Sequence, residues 1–200
     1  MKFLNNKLKF LFDYLFSIIL IFLLIIPIFV LGIIIKLFDG SPVFFTQDRA
    51  GLDGKPIKII KFKTLINLAD GSKKVSKLGK FLRLTRIDEI PQLFNVISGK
   101  LSFVGPRPLY AKYIKLYSSK QMRRLEMKPG ITGWAQINGD NNISWKKKFD
   151  LDIWYIENFN FLLDLKIIFL TVIFFLKGII FYKKNKVSKI IIDEEFNGKN

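Results

Sequence analysis

The sequence predicts an α+β protein, mostly helical, with one short β-hairpin, an N-terminal membrane helix and amphipathic helices lying at a membrane interface. Three observations predict it. Residues 14–35 (YLFSIILIFLLIIPIFVLGIII) carry no charge, and at about 1.5 Å of rise per residue such a run is long enough to cross a bilayer. Strand signals are confined to 43–47 (VFFTQ) and 57–63 (IKIIKFK), without the alternation of strands and helices that builds a doubly wound sheet. The chain is also both basic and apolar: 33 Lys and Arg face 16 Asp and Glu, for a net charge of +17, while half of the 200 residues are hydrophobic. Disordered basic tails are poor in apolar residues, so the charge belongs to a folded chain and calls for an anionic partner: nucleic acid, an anionic membrane surface or a phosphorylated substrate.

There is no Cys and no His. Disulfide frameworks, thiol nucleophiles, Ser-His triads and zinc sites built on Cys or His are excluded. Acid–base or nucleophilic chemistry falls to Asp, Glu, Lys, Tyr or Ser, and any metal site must be oxygen-rich, which favours Mg²⁺ or Mn²⁺.

The apolar run is too long for a signal-peptide core and lacks a small-residue cleavage site. Lys2, Lys7 and Lys9 precede it; Lys36, Arg49, Lys55, Lys58, Lys61 and Lys63 follow it. Both flanks are basic, so the positive-inside rule favours the cytoplasm for both. Pro27 removes a helix hydrogen bond near the middle, with Gly32 close by. These residues are compatible with a helix that enters and leaves by one face, with a kinked span, or with a buried helix of a soluble core. Beyond it, Asp53-Gly54 is the turn of the expected hairpin. Residues 76–86 read as a basic helix suited to an anionic bilayer face. Residues 88–98 (DEIPQLFNVIS) read as a helix start and a short apolar helix. Residues 109–127 read as an amphipathic helix, with Tyr110, Tyr113, Ile114 and Tyr117 at helical spacing. Gly130, Gly133 and Gly139 mark a loop, and 145–159 resume helix. Residues 161–182 are apolar but interrupted by Asp164, Lys166 and Lys177. The uncharged stretch between the lysines is too short to span, which predicts an interfacial helix with snorkelling lysines; a second transmembrane helix is the alternative. Lys183, Lys184, Lys186 and Lys189 add a polybasic patch. There is no internal repeat, no Walker A loop and no Gly-x-Gly-x-x-Gly.

Three constellations can carry chemistry. In the first, Arg83 and Arg86 precede Asp88, Glu89 and Pro91. Asp88 stands where an N-cap belongs, and a carboxylate there, near arginines, stays ionised and can bind Mg²⁺ or attack phosphorus. Adjacent residues diverge on a helix, so Asp88 and Glu89 are expected to have different roles. In the second, Gly105-Pro106-Arg107-Pro108, two prolines fix the backbone around an arginine suited to bidentate phosphate binding. In the third, Lys128-Pro129-Gly130-Ile131-Thr132-Gly133-Trp134-Ala135-Gln136, glycines, an aromatic and an amide can form a loop over a nucleotide or sugar.

Taken in order, SPVFFTQDRAG, KFKTL, LGKFLRLTRIDEIPQLFNVISGKLSFVGPRPL, KPGITGWAQING and FDLDIWYIEN resemble the bacterial sugar transferases, the monotopic phosphoglycosyl transferases, from about Asp39 to about Tyr182. At this length the chain resembles the small members of that family. The resemblance implies transfer of a phosphosugar from a UDP-sugar to polyprenyl (undecaprenyl) phosphate, giving a polyprenyl diphosphate sugar and UMP through a covalent aspartyl-phosphosugar intermediate, to initiate capsule, O-antigen or glycoprotein glycan synthesis. It implies Mg²⁺ as cofactor, with Asp88 as catalytic residue and metal ligand, Glu89 as its catalytic partner, and Lys61, Arg83, Arg107 and Gln136 at substrate phosphates. It favours a re-entrant hairpin for 1–38, broken near Pro27, then a catalytic domain over 39–182 on the cytoplasmic face of the bacterial inner membrane and a basic tail over 183–200. Its partners would be the UDP-sugar, the polyprenyl phosphate and the bilayer, without nucleic acid. The sequence departs from the family pattern where Ile26 replaces a Ser before Pro27, where Lys63 replaces an Arg, and at Arg86, which replaces a small or polar residue. A non-catalytic, membrane-anchored basic protein binding anionic lipid or nucleic acid is the competing class, and it leaves the acidic pair without a purpose.

Overall fold

The computed structural model describes residues 2–68, 70–139, 142–184 and 195–198. Helix α1 (Lys2–Phe38) runs through Pro27 as one element. Its inward positions recur every three or four residues: Asp13, Ser17, Ile28 and Ile35 are buried, and Phe16, Leu20, Ile21, Leu24 and Leu31 pack on the core between them. The opposite face is bare, with Phe22 80%, Ile26 72% and Phe29 69% exposed. A soluble core helix would bury that face, so the buried-core alternative is excluded. Among the described residues, α1 is the helix long and apolar enough to cross a membrane.

Strands β1 (Phe44–Ala50) and β2 (Pro56–Phe62) form the expected antiparallel hairpin, in register from Phe44 opposite Phe62 to Ala50 opposite Pro56. The turn uses positive φ at Asp53 (55°) and Gly54 (73°), as the Asp-Gly pair permits. A second hairpin, β3 (Leu65–Asn67) with β4 (Lys73–Val75), was not expected. Its turn is also an Asp-Gly pair, where the Asp70 carboxylate accepts from the backbone N–H and hydroxyl of Ser72. Helix α2 (Lys77–Leu84) is the expected basic helix, N-capped by Ser76 and burying Leu82. The Ser76 hydroxyl also donates to Asp39 Oδ2 (2.6 Å), and Lys63 Nζ donates to the carbonyls of Asp39, Gly40 and Ser41. The ammonium of Lys63 thus ties down the backbone just past the end of α1, a task that needs no planar fork.

A 3₁₀ turn (Ile87–Gln92) leads into α3 (Leu93–Ile97). Strand β5 (Ser102–Val104) pairs in parallel with β6 (Gly130–Thr132), so part of the expected glycine loop is strand. The glycines there permit backbone contact: a Cβ on Gly130 would lie 2.1 Å from the nitrogen of Gly105. The helix expected over 109–127 is a correction. The segment is a 3₁₀ turn (Ala111–Leu116), α4 (Ser119–Met122) and another 3₁₀ turn (Arg123–Glu126). Tyr117 is extended and Ser118 starts a new helix with a capping box closed by Gln121. The tyrosine spacing instead serves an aromatic cluster, in which Tyr113 and Tyr117 meet Trp145, Phe149 and Phe196.

After α5 (Trp134–Ile137), helices α6 (Trp145–Asn158) and α7 (Phe161–Lys184) close the fold over a core of Ile59, Leu93, Val96, Leu101, Val104, Tyr155 and Ile167. Two lone charges of the sequence turn inward. Lys9 Nζ donates to Asp164 Oδ2 (2.6 Å) and to the Val104 carbonyl (2.8 Å), and the Tyr155 hydroxyl donates to Asp164 Oδ1 (2.6 Å). Lys9 is therefore not a solvated flank of the apolar run. Lys166 is exposed; the patch residues Lys186 and Lys189 lie outside the described residues.

Arg124 is buried and gives Asp152 Oδ2 two hydrogen bonds, from Nη2 (2.8 Å) and Nε (3.1 Å). Replacing Asp152 by Ala strands that guanidinium, which should destabilise the fold by about 3–5 kcal/mol. A large fall in the thermal midpoint of purified Asp152→Ala is the expected result.

Candidate active site

The acidic pair is presented by a strained entry. Arg86 adopts φ 54°, a left-handed conformation unusual for a non-glycine residue, and its carbonyl accepts from the Glu89 N–H (3.0 Å). The cap position therefore falls on Arg86, not on Asp88, which lies inside the 3₁₀ turn. This corrects the expected N-cap. Asn95 of α3 holds the turn against β2: its amide donates to the Lys58 carbonyl (2.8 Å) and accepts from the Ile60 N–H (3.0 Å). That docking sets Lys61, at the end of β2, beside the pair. Arg107 comes from the Pro-framed loop, whose backbone is fixed because Arg124 Nη2 donates to the Arg107 carbonyl (2.6 Å).

Both carboxylates are buried, but their surroundings differ. Glu89 Oε1 accepts from Lys61 Nζ (2.6 Å) and Arg107 Nη2 (3.4 Å), and Arg86 Nη1 lies 3.8 Å from Oε2. Burial alone would raise Glu89, but Lys61, Arg107 and Arg86 together outweigh it and hold the group well below the usual carboxylate range. The Asp88 carboxylate makes no hydrogen bond among the described residues. Burial, then the adjacent Glu89 charge, push it up to about 6, against the pull of Lys61, Arg86 and Arg83. The divergent roles expected of the two residues thus appear as a clamped carboxylate and an uncommitted one.

A cleft opens beside the pair, lined by Arg49, Lys61, Glu89, Gln92 and Arg107 with the backbone of Gly130. Of the expected site residues, Lys61, Glu89 and Arg107 meet there. Asp88 and Arg83 are not in the lining: Asp88 is the chain neighbour of Glu89, and Arg83, whose charge acts on Asp88, has its Nε donating to Thr64 Oγ1 (2.9 Å). Gln136 is not in the lining; its amide donates to the carbonyl of Ile131 (2.9 Å) and so braces the strand that is. Arg49 was missed by the sequence reading, because it lies in strand β1, far in sequence from the pair. A Gln-x-Arg-x-Gly pattern at Gln47, Arg49 and Gly51 was the available signal.

Among the described residues no three Asp or Glu cluster as a ready-made metal cage. One free carboxylate suits Mg²⁺ nonetheless, since that ion keeps its waters and is held by one or two carboxylates together with substrate phosphates.

The bacterial sugar transferase family matches residues 4–178. The sugar transferase EpsL of Bacillus subtilis is 55% identical over 146 residues, covering 70% of this chain and 72% of EpsL. The UDP-glucose:undecaprenyl-phosphate glucose-1-phosphate transferases of Klebsiella pneumoniae and Escherichia coli are 44% and 41% identical, covering 76% of this chain. This chain spans 37% of the length of each of those two proteins. The chain belongs to the bacterial sugar transferase family.

The raised Asp88 has a thermodynamic consequence. A carboxyl that titrates higher folded (about 6) than unfolded (about 3.9) favours folding fully below the unfolded value, and that contribution is lost as pH rises through 6. Asp88→Asn removes the charged form. It should stabilise the protein at pH 8 by about 2–3 kcal/mol, with the difference vanishing below about pH 4, read as thermal midpoints in chelator.

Proposed function

We propose that this chain transfers a phosphosugar from a UDP-sugar to undecaprenyl phosphate, releasing UMP and initiating polysaccharide or glycoconjugate synthesis. The observation that carries the reading is the asymmetric pair: Glu89 clamped by Lys61 and Arg107 at a cationic cleft, and next to it in the chain Asp88, whose carboxylate makes no hydrogen bond among the described residues. The names of the relatives support the substrate class: glucose-1-phosphate transferases acting on UDP-glucose and undecaprenyl phosphate, and, in Aeromonas hydrophila, an N-acetylgalactosaminephosphotransferase acting on UDP-N-acetylgalactosamine.

In this mechanism a carboxylate oxygen of Asp88 attacks the β-phosphorus of the UDP-sugar. An O–P bond forms to Asp88, the bond from phosphorus to the bridging oxygen breaks, and UMP leaves with that electron pair. An oxygen of the lipid phosphate then attacks the same phosphorus, the Asp88–phosphorus bond breaks, and the polyprenyl diphosphate sugar departs with the carboxylate restored. Lys61 and Arg107 neutralise the equatorial charge that builds on the phosphoryl group, as preorganised cations do. Glu89 holds both at fixed spacing. Asp88 with the substrate phosphates would hold Mg²⁺, which when bound neutralises diphosphate charge.

A lipid acceptor requires membrane attachment, and α1 has the exposed apolar face for it. Both ends of its apolar run are fastened to the same body, by Lys9 to Asp164 and by Ser76 to Asp39. That supports a helix that enters and leaves by one face, and the lysines flanking the run on both sides favour the cytoplasm for that face.

UMP release from UDP-glucose, UDP-galactose and UDP-N-acetylgalactosamine, with undecaprenyl phosphate and Mg²⁺, tests the activity. Wild type should release UMP from at least one donor, Asp88→Asn from none, and Glu89→Gln strongly less than wild type. Undiminished release by Asp88→Asn refutes the proposal. For topology, the cysteine-free chain allows Asn5→Cys and Ser41→Cys to be labelled singly in sealed vesicles. Both should react from the same face; labelling from opposite faces means a span.

A further inference from the structure

Arg49 is the cation of the cleft that the mechanism above does not use. Its guanidinium carbon lies 3.8 Å from the centre of the Tyr110 ring, and Arg49 and Tyr110 form a β-bridge, so strand pairing holds ring and guanidinium together. Nη2 donates to Gln47 Oε1 (2.5 Å), while Nε is buried without a partner. A stacked, planar fork with an unanswered donor is suited to an anionic oxygen. Burial lowers Arg49 from its ordinary value, the nearby Tyr110 opposes that, and Arg107 adds to it; an arginine remains charged throughout.

Strand register gives the anion its place. In the hairpin Arg49 lies opposite Ile57, four residues along β2 from Lys61, whose ammonium meets Glu89. The acidic pair therefore stands at the Lys61 end of the cleft and Arg49 away from it. Among the described lining residues Arg49, Lys61 and Arg107 are cationic and Glu89 is acidic, an excess of two positive charges that matches the two negative charges of a nucleoside diphosphate sugar. In an in-line displacement the leaving oxygen lies opposite the nucleophile.

We propose that Arg49, stacked on Tyr110, binds the phosphate that departs as the nucleoside monophosphate, stabilising the leaving group at the end of the cleft remote from Asp88. The assignment rests on the activity proposed above. It makes Arg49 a substrate-binding residue for UMP, independent of which sugar is carried.

The test is equilibrium binding of UMP to the full chain in nanodiscs, by calorimetry, for wild type, Arg49→Gln and Arg49→Lys. Losing charge-assisted hydrogen bonds should weaken UMP about 10- to 100-fold in Arg49→Gln. Arg49→Lys, which keeps charge without the fork, should fall between the two. A fraction of misfolded protein lowers the binding stoichiometry but leaves the dissociation constant unchanged, so a purely structural role would not reproduce the shift. If Arg49→Gln does not fold, Arg49→Lys alone decides. An unchanged UMP constant in the folded variants overturns the inference. Wild type that binds UMP but releases none from any donor refutes the activity while leaving Arg49 judged on binding.

Discussion

The ion cluster around Glu89 is the constraint on which the site depends. A carboxylate buried this deeply is tolerable only with opposite charges in contact, and its cations come from separate parts of the chain: Lys61 from β2, Arg107 from the Pro-framed loop and Arg86 from the entry to the turn. Satisfying that one charge draws strand, loop and turn to a common point. Asp88 gains its position as a by-product, because its neighbour is committed inward while its own carboxylate is left uncommitted. The cost is visible in the left-handed backbone of Arg86, the sort of strain that persists only where surrounding contacts over-determine it.

The same logic fastens α1. Apolar packing is non-directional and would by itself let α1 slide along the body. Polar contacts remove that freedom. Lys9 with Asp164 and Tyr155, and Asp13 with the Ser102 hydroxyl (2.6 Å), fix one end; Asp39 with Ser76 and the Lys63 ammonium fix the other. Poorly hydrated surroundings strengthen each of these bonds and penalise any register that leaves one unmade. Asp13 and Lys9 also bond to β5 and its neighbours, so the helix is keyed to the strand that precedes the Arg107 loop.

Much of this was legible in the chain. The Asp-Gly turn located the first hairpin, the uncharged run located α1, and the sequence around Asp88 and Glu89 located the pair. The same turn signal at Asp70-Gly71 marked the second hairpin, but its strands are only three residues each, too short for an alternation pattern to register. Helical spacing of tyrosines over 109–127 misled, because periodicity records which residues share a buried side and not what backbone carries them. A 3₁₀ turn and a capped short helix bring Tyr113 and Tyr117 to the same aromatic cluster that one long helix would have served. Arg49 was hidden for another reason: in a strand of alternating residues, a charged side chain at one position looks like any solvated one.

By itself the sequence determined the chemistry available: no thiol or imidazole, an excess of cations, one acidic pair among arginines and one long uncharged run. These are properties of residue type and local order, which the chain carries in any conformation. The tertiary structure alone decided which carboxylate is clamped and which is free, which of many lysines faces the pair, and that Lys9 and Asp164 meet across 155 positions. Those outcomes follow from burial and distance. Desolvation and Coulombic pairing act on groups only once folding has removed the water between them.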